Sequence, residues 1–245
     1  PDLLAERKTH LNSGRFCVLT MGSTLPGLPA FGIDASQLTA LEQLAILAAA
    51  QDVGAALLAT NPALGSAAEA FKAVFGLSSN TLSLERCPAG ACSALGWTQS
   101  STEVWFNYFV YSKDTFADDW WERTVHVVVH ELGHVFNAHM TNILGALAEK
   151  LSPYNQLFRT QANNPAFPDR VDNDANLVGF AGPRYNWQQS SSGAHGEEFA
   201  DMFLGWTYNR WETGIGLAAG QARADWMAAR MPLWVDLASA AAGGK

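Results

Sequence analysis

The sequence predicts an α+β fold, because segments of strand composition come early in the chain and strongly helical segments follow them. Its 245 residues are 48% hydrophobic, which is enough to bury a substantial core. Two domain organisations fit this order. Residues 1–100 form an N-terminal helical and strand part packed on a second part at 101–245, or the chain is one continuous domain.

The first half of the chain mixes helices and strands. Residues 36–60 and 65–75 are rich in Ala and Leu, which predicts two helices. The segment 101–112 alternates and is rich in aromatic residues, which predicts a strand at the edge or in the interior of a sheet. The remaining predicted elements of this half are a short helix at 2–12 and strands at 15–21 and 80–87.

The second half is predominantly helical. An acidic, Trp-rich entry at 114–122 leads into a long helix that ends near Gly145. Residues 152–196 are dense in Asn, Pro, Asp, Gly and Ser, which predicts an extended loop region. Two further helices are predicted at 197–211 and 218–241.

The charge excludes two classes of partner. The net charge is −8 and no basic run occurs, so we expect neither nucleic acid nor an anionic membrane surface as a partner. The longest apolar stretch, 38–58, is interrupted by polar residues, which we expect on the solvent side of a helix in a soluble protein without membrane insertion. The interrupting residues are Glu42, Gln43, Gln51 and Asp52.

The cysteines leave two states open. Cys87 and Cys92 flank the short turn-rich segment "PAGA", so they form either a small disulfide or two free thiols. A disulfide would favour an oxidising compartment, and hence an extracytoplasmic or secreted location over the cytoplasm.

The stretch "HVVVHELGHVFNAH" at 126–139 carries the chemistry. On a helix, His130 and His134 fall about 40° apart on one face, one turn from each other. Two imidazoles so placed can hold one zinc ion, and Glu131, directly after the first, lies beside the metal as a base for a metal-bound water. The spacing therefore predicts a Zn²⁺ site.

The apolar residues of the same helix do not need these histidines for packing. They fill the opposite face, so the alternative, two polar histidines on a helix surface, is disfavoured. His139 falls roughly 180° from His130, and a continuous helix excludes it as a third ligand. The apolar residues are Val125, Val128, Val129, Leu132, Val135 and Phe136.

A second helix offers a third ligand. In "GEEFADMFLGW", at 196–206, Glu197 and Asp201 share one face with the small Ala200 between them. Like charges at this spacing repel each other unless a cation is near, and zinc would supply one. Glu198 is the rival ligand, about 100° off that face.

With "HELGH" followed by "EEFAD", residues 120–210 resemble the gluzincins, zinc metallopeptidases that include thermolysin-like and CAAX-prenyl-protease-like enzymes. The resemblance implies a zincin-like domain with a small mixed sheet, an active-site helix and a helical lower part. It also implies His130, His134 and Glu197 as ligands, Glu131 as general base, and Asp201 as the acceptor that orients a ligand imidazole.

A peptidase of this kind needs a donor for the developing oxyanion. Tyr208, on the same face of the second helix as Glu197 and Asp201, is the first candidate, followed by His195 and Tyr185. His126, one turn before His130, falls either at the rim of the site or near solvent.

These residues predict a zinc metallopeptidase that hydrolyses peptide or protein substrates by a metal-activated water, with Glu131 as base. Two alternatives remain at this stage. One is a non-catalytic, zinc-containing binding or regulatory protein, and the other is a zinc hydrolase of a non-peptide substrate.

Overall fold

The fold consists of a small mixed sheet with helices packed on it. The computed structural model describes residues 23–88, 91, 96–106, 120–144, 195–211 and 218–243. At residues 97, 120, 121, 123, 144, 195–198, 218–220 and 222 the main chain alone is described. Helices combined with a small mixed sheet confirm the predicted α+β class. The elements predicted at 2–12 and 15–21, and the predicted loop from 152 to 194, lie outside the described residues.

The described sheet has four strands in the order β1-β2-β4-β3. Strands β1, β2 and β4 run parallel to one another, and β3 runs antiparallel to β4. The strand predicted at 101–112 is therefore interior over its described residues, and β3 lies at the edge. The strands are β1 (Ile33–Asp34), β2 (Leu82–Arg86), β3 (Gly96–Ser100) and β4 (Glu103–Phe106).

Strand β3 was not predicted from the sequence. Its residues, "GWTQS", begin with Gly and continue with polar side chains, so they carry no apolar alternation. They become a strand because the chain turns at 101–102 and pairs back on β4, with Trp97 opposite Trp105 and Thr98 opposite Val104. Strand β3 therefore depends on its pairing with β4, and its own residues do not predict it.

Helix α1 (Ala40–Thr60) starts four residues later than the predicted segment because Thr39 caps it. The Thr39 side chain accepts a hydrogen bond from the Glu42 main chain, and the Glu42 carboxylate accepts from the Thr39 N–H, which closes a capping box. Arg86 on β2 also binds the Glu42 carboxylate at 2.5 Å. These contacts attach the start of α1 to the sheet.

The expectation that polar residues mark the solvent side of α1 is wrong for two of the four. Glu42 and Gln43 are buried, whereas Gln51 is exposed. Burial is tolerated because Glu42 has the partners above, and Gln43 donates to the carbonyls of Ser23 and Leu38.

Among the described residues, α1 is the one helix long and apolar enough to cross a membrane by length and composition. Half of its apolar window is buried inside the protein. There it packs against α2 (Ala67–Val74) and against α3 (Trp120–Leu144), as the core helix of a domain does.

Helix α3 is the central element of the described structure. It contacts α1, strand β3 and the two later helices, α4 (His195–Tyr208) and α5 (Ala218–Gly243). The predicted apolar face is buried, and Phe136 packs against Phe199 and Phe203 of α4. His130 and Glu131 are also buried, at 1% and 5% exposure, because α4 and β3 cover the polar side of the helix.

Helices α3 and α4 cross at close range. A Cβ atom at Gly133 would lie 2.9 Å from Ala200 Cα and 3.0 Å from Phe203 Cβ, so only glycine fits at this position. The helices run antiparallel, since His126 contacts Tyr208 and His130 contacts Asp201. Gly133 thus allows α4 to approach α3 between the two histidines of "HELGH".

The predicted boundary between residues 100 and 101 falls in the turn between β3 and β4. Both strands belong to one sheet, which also contains β1 and β2. Helix α2 in addition contacts α5 near the end of the chain.

Of the two states considered for Cys87, the structure has the disulfide. The bonded partner lies outside the described residues, as do Cys17 and Cys92.

Replacing Gly133 by Val is expected to lower the free energy of unfolding by about 2 kcal/mol or more. Overpacking alone costs about 1–3 kcal/mol, and here the added methyl groups meet main-chain atoms of α4, which cannot rotate away. Urea unfolding followed by circular dichroism measures the change. Ala138→Val, at a partly exposed position of the same helix, is the control, and equal losses in both variants would contradict the close approach.

Candidate metal centre

The imidazole rings of His130 and His134 approach each other through their Nε2 atoms. Their Nε2 atoms lie 3.2 Å apart, and the ring planes cross at 79°. Two imidazoles bound tetrahedrally to one zinc, with Zn–N distances of about 2.0–2.1 Å, would place the two nitrogens roughly 3.3–3.4 Å apart. The pair therefore fits a shared zinc ion.

Asp201 orients the first imidazole. Its Oδ1 atom accepts a hydrogen bond from His130 Nδ1 at 2.8 Å, and the Asp201 carboxylate is fully buried. A proton held on Nδ1 leaves Nε2 as the nitrogen with a lone pair, which is the form a metal ligand needs. The structure thus brings the side chains of His130, His134 and Asp201 together.

The main chain of residue 197 lies one helical turn before Asp201. Helices α3 and α4 run antiparallel, and His130 is paired with Asp201. One turn before Asp201 on α4 therefore lies beside one turn after His130 on α3, which is where His134 lies. The side chains of Glu197 and of its rival Glu198 lie outside the described residues. Among the described side chains no group of three His, Cys, Asp or Glu forms a complete metal site.

The Glu131 side chain lies between helix α3 and strand β3. Its Oε2 atom accepts a hydrogen bond from Thr98 Oγ1 at 2.8 Å. On the same side, a Cβ atom at Gly96 would come within 2.5 Å of Oε1. The carboxylate is therefore in contact with the main chain of the edge strand.

Tyr208, the first candidate for oxyanion donor, lies seven residues after Asp201 on α4, whereas residue 197 lies four residues before Asp201. Its hydroxyl donates to Asp52 Oδ2 of α1 at 2.9 Å, and its ring packs edge-on against His126. His126 is buried, so it is not a histidine near solvent. The other candidate donors, the His195 side chain and Tyr185, lie outside the described residues.

His139 is placed away from the two converging imidazoles. The His139 ring occupies the space that a Cβ at Gly76 would need, so this ring packs on the turn after α2. The expectation from the helical wheel, that His139 faces the other side of α3, agrees with this contact.

Sequence reasoning missed Thr98 and Gly96. Both belong to β3, a strand without an apolar pattern, so no local signal placed them next to the helix. The available hint was the Gly in "LGW" just before a polar Thr, since a strand Gly often marks close approach of another group.

No protein-family model, curated protein or solved structure matches the chain. The likeness to the gluzincins therefore rests on the sequence motifs alone.

Replacing Asp201 by Asn is expected to weaken zinc binding about 10–100-fold, because a neutral amide supports the ligand imidazole less well than a carboxylate. Competition with a chromophoric chelator measures the affinity. Asp225→Asn, at an exposed position of α5, is the control and should bind zinc as the wild type does. Equal affinities in all three proteins would contradict the assigned role of Asp201.

Proposed function

We propose that this protein is a zinc-dependent peptidase with a zincin-like arrangement. The observation that carries the proposal is the 3.2 Å approach of the two Nε2 atoms one helical turn apart, with a buried carboxylate behind the first ring. Glu131 follows His130 directly in the same helical turn. In this combination the helix offers two oriented nitrogen ligands and a base.

His130, His134 and Glu197 would hold the zinc ion. When bound, zinc lowers the pKa of a water molecule and polarises a carbonyl oxygen. The Glu131 carboxylate accepts a proton from the water molecule while the water oxygen attacks the carbonyl carbon of the peptide bond. The same carboxyl group then passes this proton to the amine nitrogen as the C–N bond breaks, so no covalent enzyme intermediate forms.

The position of β3 favours an extended peptide as substrate. β3 is one of the two edge strands of the described sheet, and it runs beside the Glu131 carboxylate. An extended peptide can pair with the main chain of such an edge, which would bring a peptide bond next to the base. A substrate without a polypeptide main chain gains nothing from this edge.

Replacing Glu131 by Gln is expected to lower kcat/KM for peptide cleavage about 10²–10⁴-fold, because the amide cannot take up the proton of the water. The zinc content should stay stoichiometric, as Glu131 is not a ligand. A library of quenched fluorescent peptides, with and without a chelator, measures the activity, and elemental analysis measures the metal. Glu122→Gln, in the first turn of α3, is the control. Retained turnover in Glu131→Gln would remove the base assignment.

Replacing Glu197 by Ala is expected to weaken zinc binding more than roughly 10–100-fold. Loss of a residue that only hydrogen-bonds a ligand, as Asp201 does, costs about 10–100-fold, and loss of a ligand should cost more. Glu198→Ala is the matched control, since it removes the same group one residue away on the same helix. Chelator competition compares the two variants. A larger loss in Glu198→Ala would move the ligand by one residue.

A further inference from the structure

The edge strand β3 holds the Glu131 carboxylate from the side opposite to its own helix. Thr98 Oγ1 lies 2.8 Å from Glu131 Oε2 and 3.2 Å from the Glu131 main-chain oxygen. A hydroxyl has one proton to donate, and the shorter contact is to the carboxylate. Thr98 thus contacts the side chain and the main chain of the same residue across 33 positions of sequence.

Burial makes this contact important for the conformation of Glu131. The residue is 5% exposed, so water can replace few of its hydrogen bonds. Among the described residues, Thr98 is the side chain that donates to this carboxylate. Loss of the hydroxyl would leave a buried carboxylate oxygen without that donor.

Gly96 provides the space that the Glu131 carboxylate occupies. It lies two residues before Thr98, and in a strand the two positions face the same side. A Cβ at Gly96 would meet Glu131 Oε1 at 2.5 Å and both Cδ and Cγ at 2.6 Å. The carboxylate therefore occupies the space that the missing side chain leaves, with the Thr98 hydroxyl next to it.

The strand is irregular at this point. Thr98 pairs with Val104, but Ser100 already pairs with Glu103, so Gln99 is an extra residue on β3. Such a bulge bends and twists a strand and re-aims the neighbouring side chains, and bulges are frequent next to active sites. The bulge directly follows the residue that contacts Glu131.

We propose that Thr98 is a positioning residue for Glu131, with the bare main chain at Gly96 providing the space for the carboxylate. The hydroxyl holds one carboxylate oxygen and so restricts rotation of the side chain. The catalytic consequence rests on the proposed function. Thr98 acts through Glu131 and binds neither the metal nor the substrate.

The first test is kinetic. Thr98→Val keeps the shape of the side chain and removes the hydroxyl, so kcat is expected to fall about 10–100-fold, as misplacement of a reacting group by about 1 Å does. KM and zinc affinity should stay unchanged. Thr98→Ser, which restores the hydroxyl, should return kcat to near the wild-type value. Thr141→Val makes the same change at an exposed position of α3 and should have no effect.

A kcat unchanged in Thr98→Val, a parallel loss of zinc affinity, or no recovery in Thr98→Ser would overturn the proposal. Gly96→Ala provides a second variant. It should also lower kcat with zinc retained, because its methyl group displaces the carboxylate.

The second test does not depend on activity. The loss in Tm caused by Thr98→Val should be larger in the wild-type background than in the Glu131→Ala background, because in the latter the hydroxyl has lost the carboxylate and keeps only the longer contact with the main-chain oxygen. Equal losses would overturn the proposal whatever the kinetics show. If the zinc-loaded wild type cleaves no peptide in the library, the proposed peptidase function fails, and this cycle alone decides whether Thr98 holds Glu131.

Discussion

A hydrogen bond between His130 and Asp201, buried where α3 crosses α4, is the interaction on which the candidate site depends. A carboxylate without exposure to water needs a partner of this kind, because an unpaired buried charge is costly. The bond forms only if the two helices approach closely, which Gly133 permits. Helix packing and the orientation of the His130 imidazole are therefore one requirement, because a change that separates the two helices also breaks this hydrogen bond.

The residues of one helical turn are held from two different sides. On one side α4 contributes a carboxylate to His130, and on the other side β3 contributes a hydroxyl to Glu131. His130 and Glu131 are adjacent in sequence, yet their hydrogen-bond partners belong to elements that lie after and before α3 in the chain. Such support from packed neighbours allows a site to keep its geometry while its function depends on small distances.

Most of the helices could be predicted from the sequence, but the sheet could be predicted only in part. The bounds of α3 and α4 lie within about two to three residues of the expected ones, because an amphipathic pattern over many turns is a strong local signal. Strand β3 carries no such signal, and it exists because it pairs with β4. Glu42 and Gln43 likewise gave no local sign of burial, since their partners, Arg86 and the main chain near Ser23, lie elsewhere in the chain.

The sequence alone places His130, Glu131 and His134 on one helical turn, because the spacing of residues on an α-helix is a local property. It also indicated that Asp201 shares a helix face with residue 197. The contacts of Asp201 with His130 and of Thr98 with Glu131 span 71 and 33 positions of sequence, and they are seen only in the folded chain. Contacts over such separations depend on how helices and strands pack, which no local pattern of residues encodes.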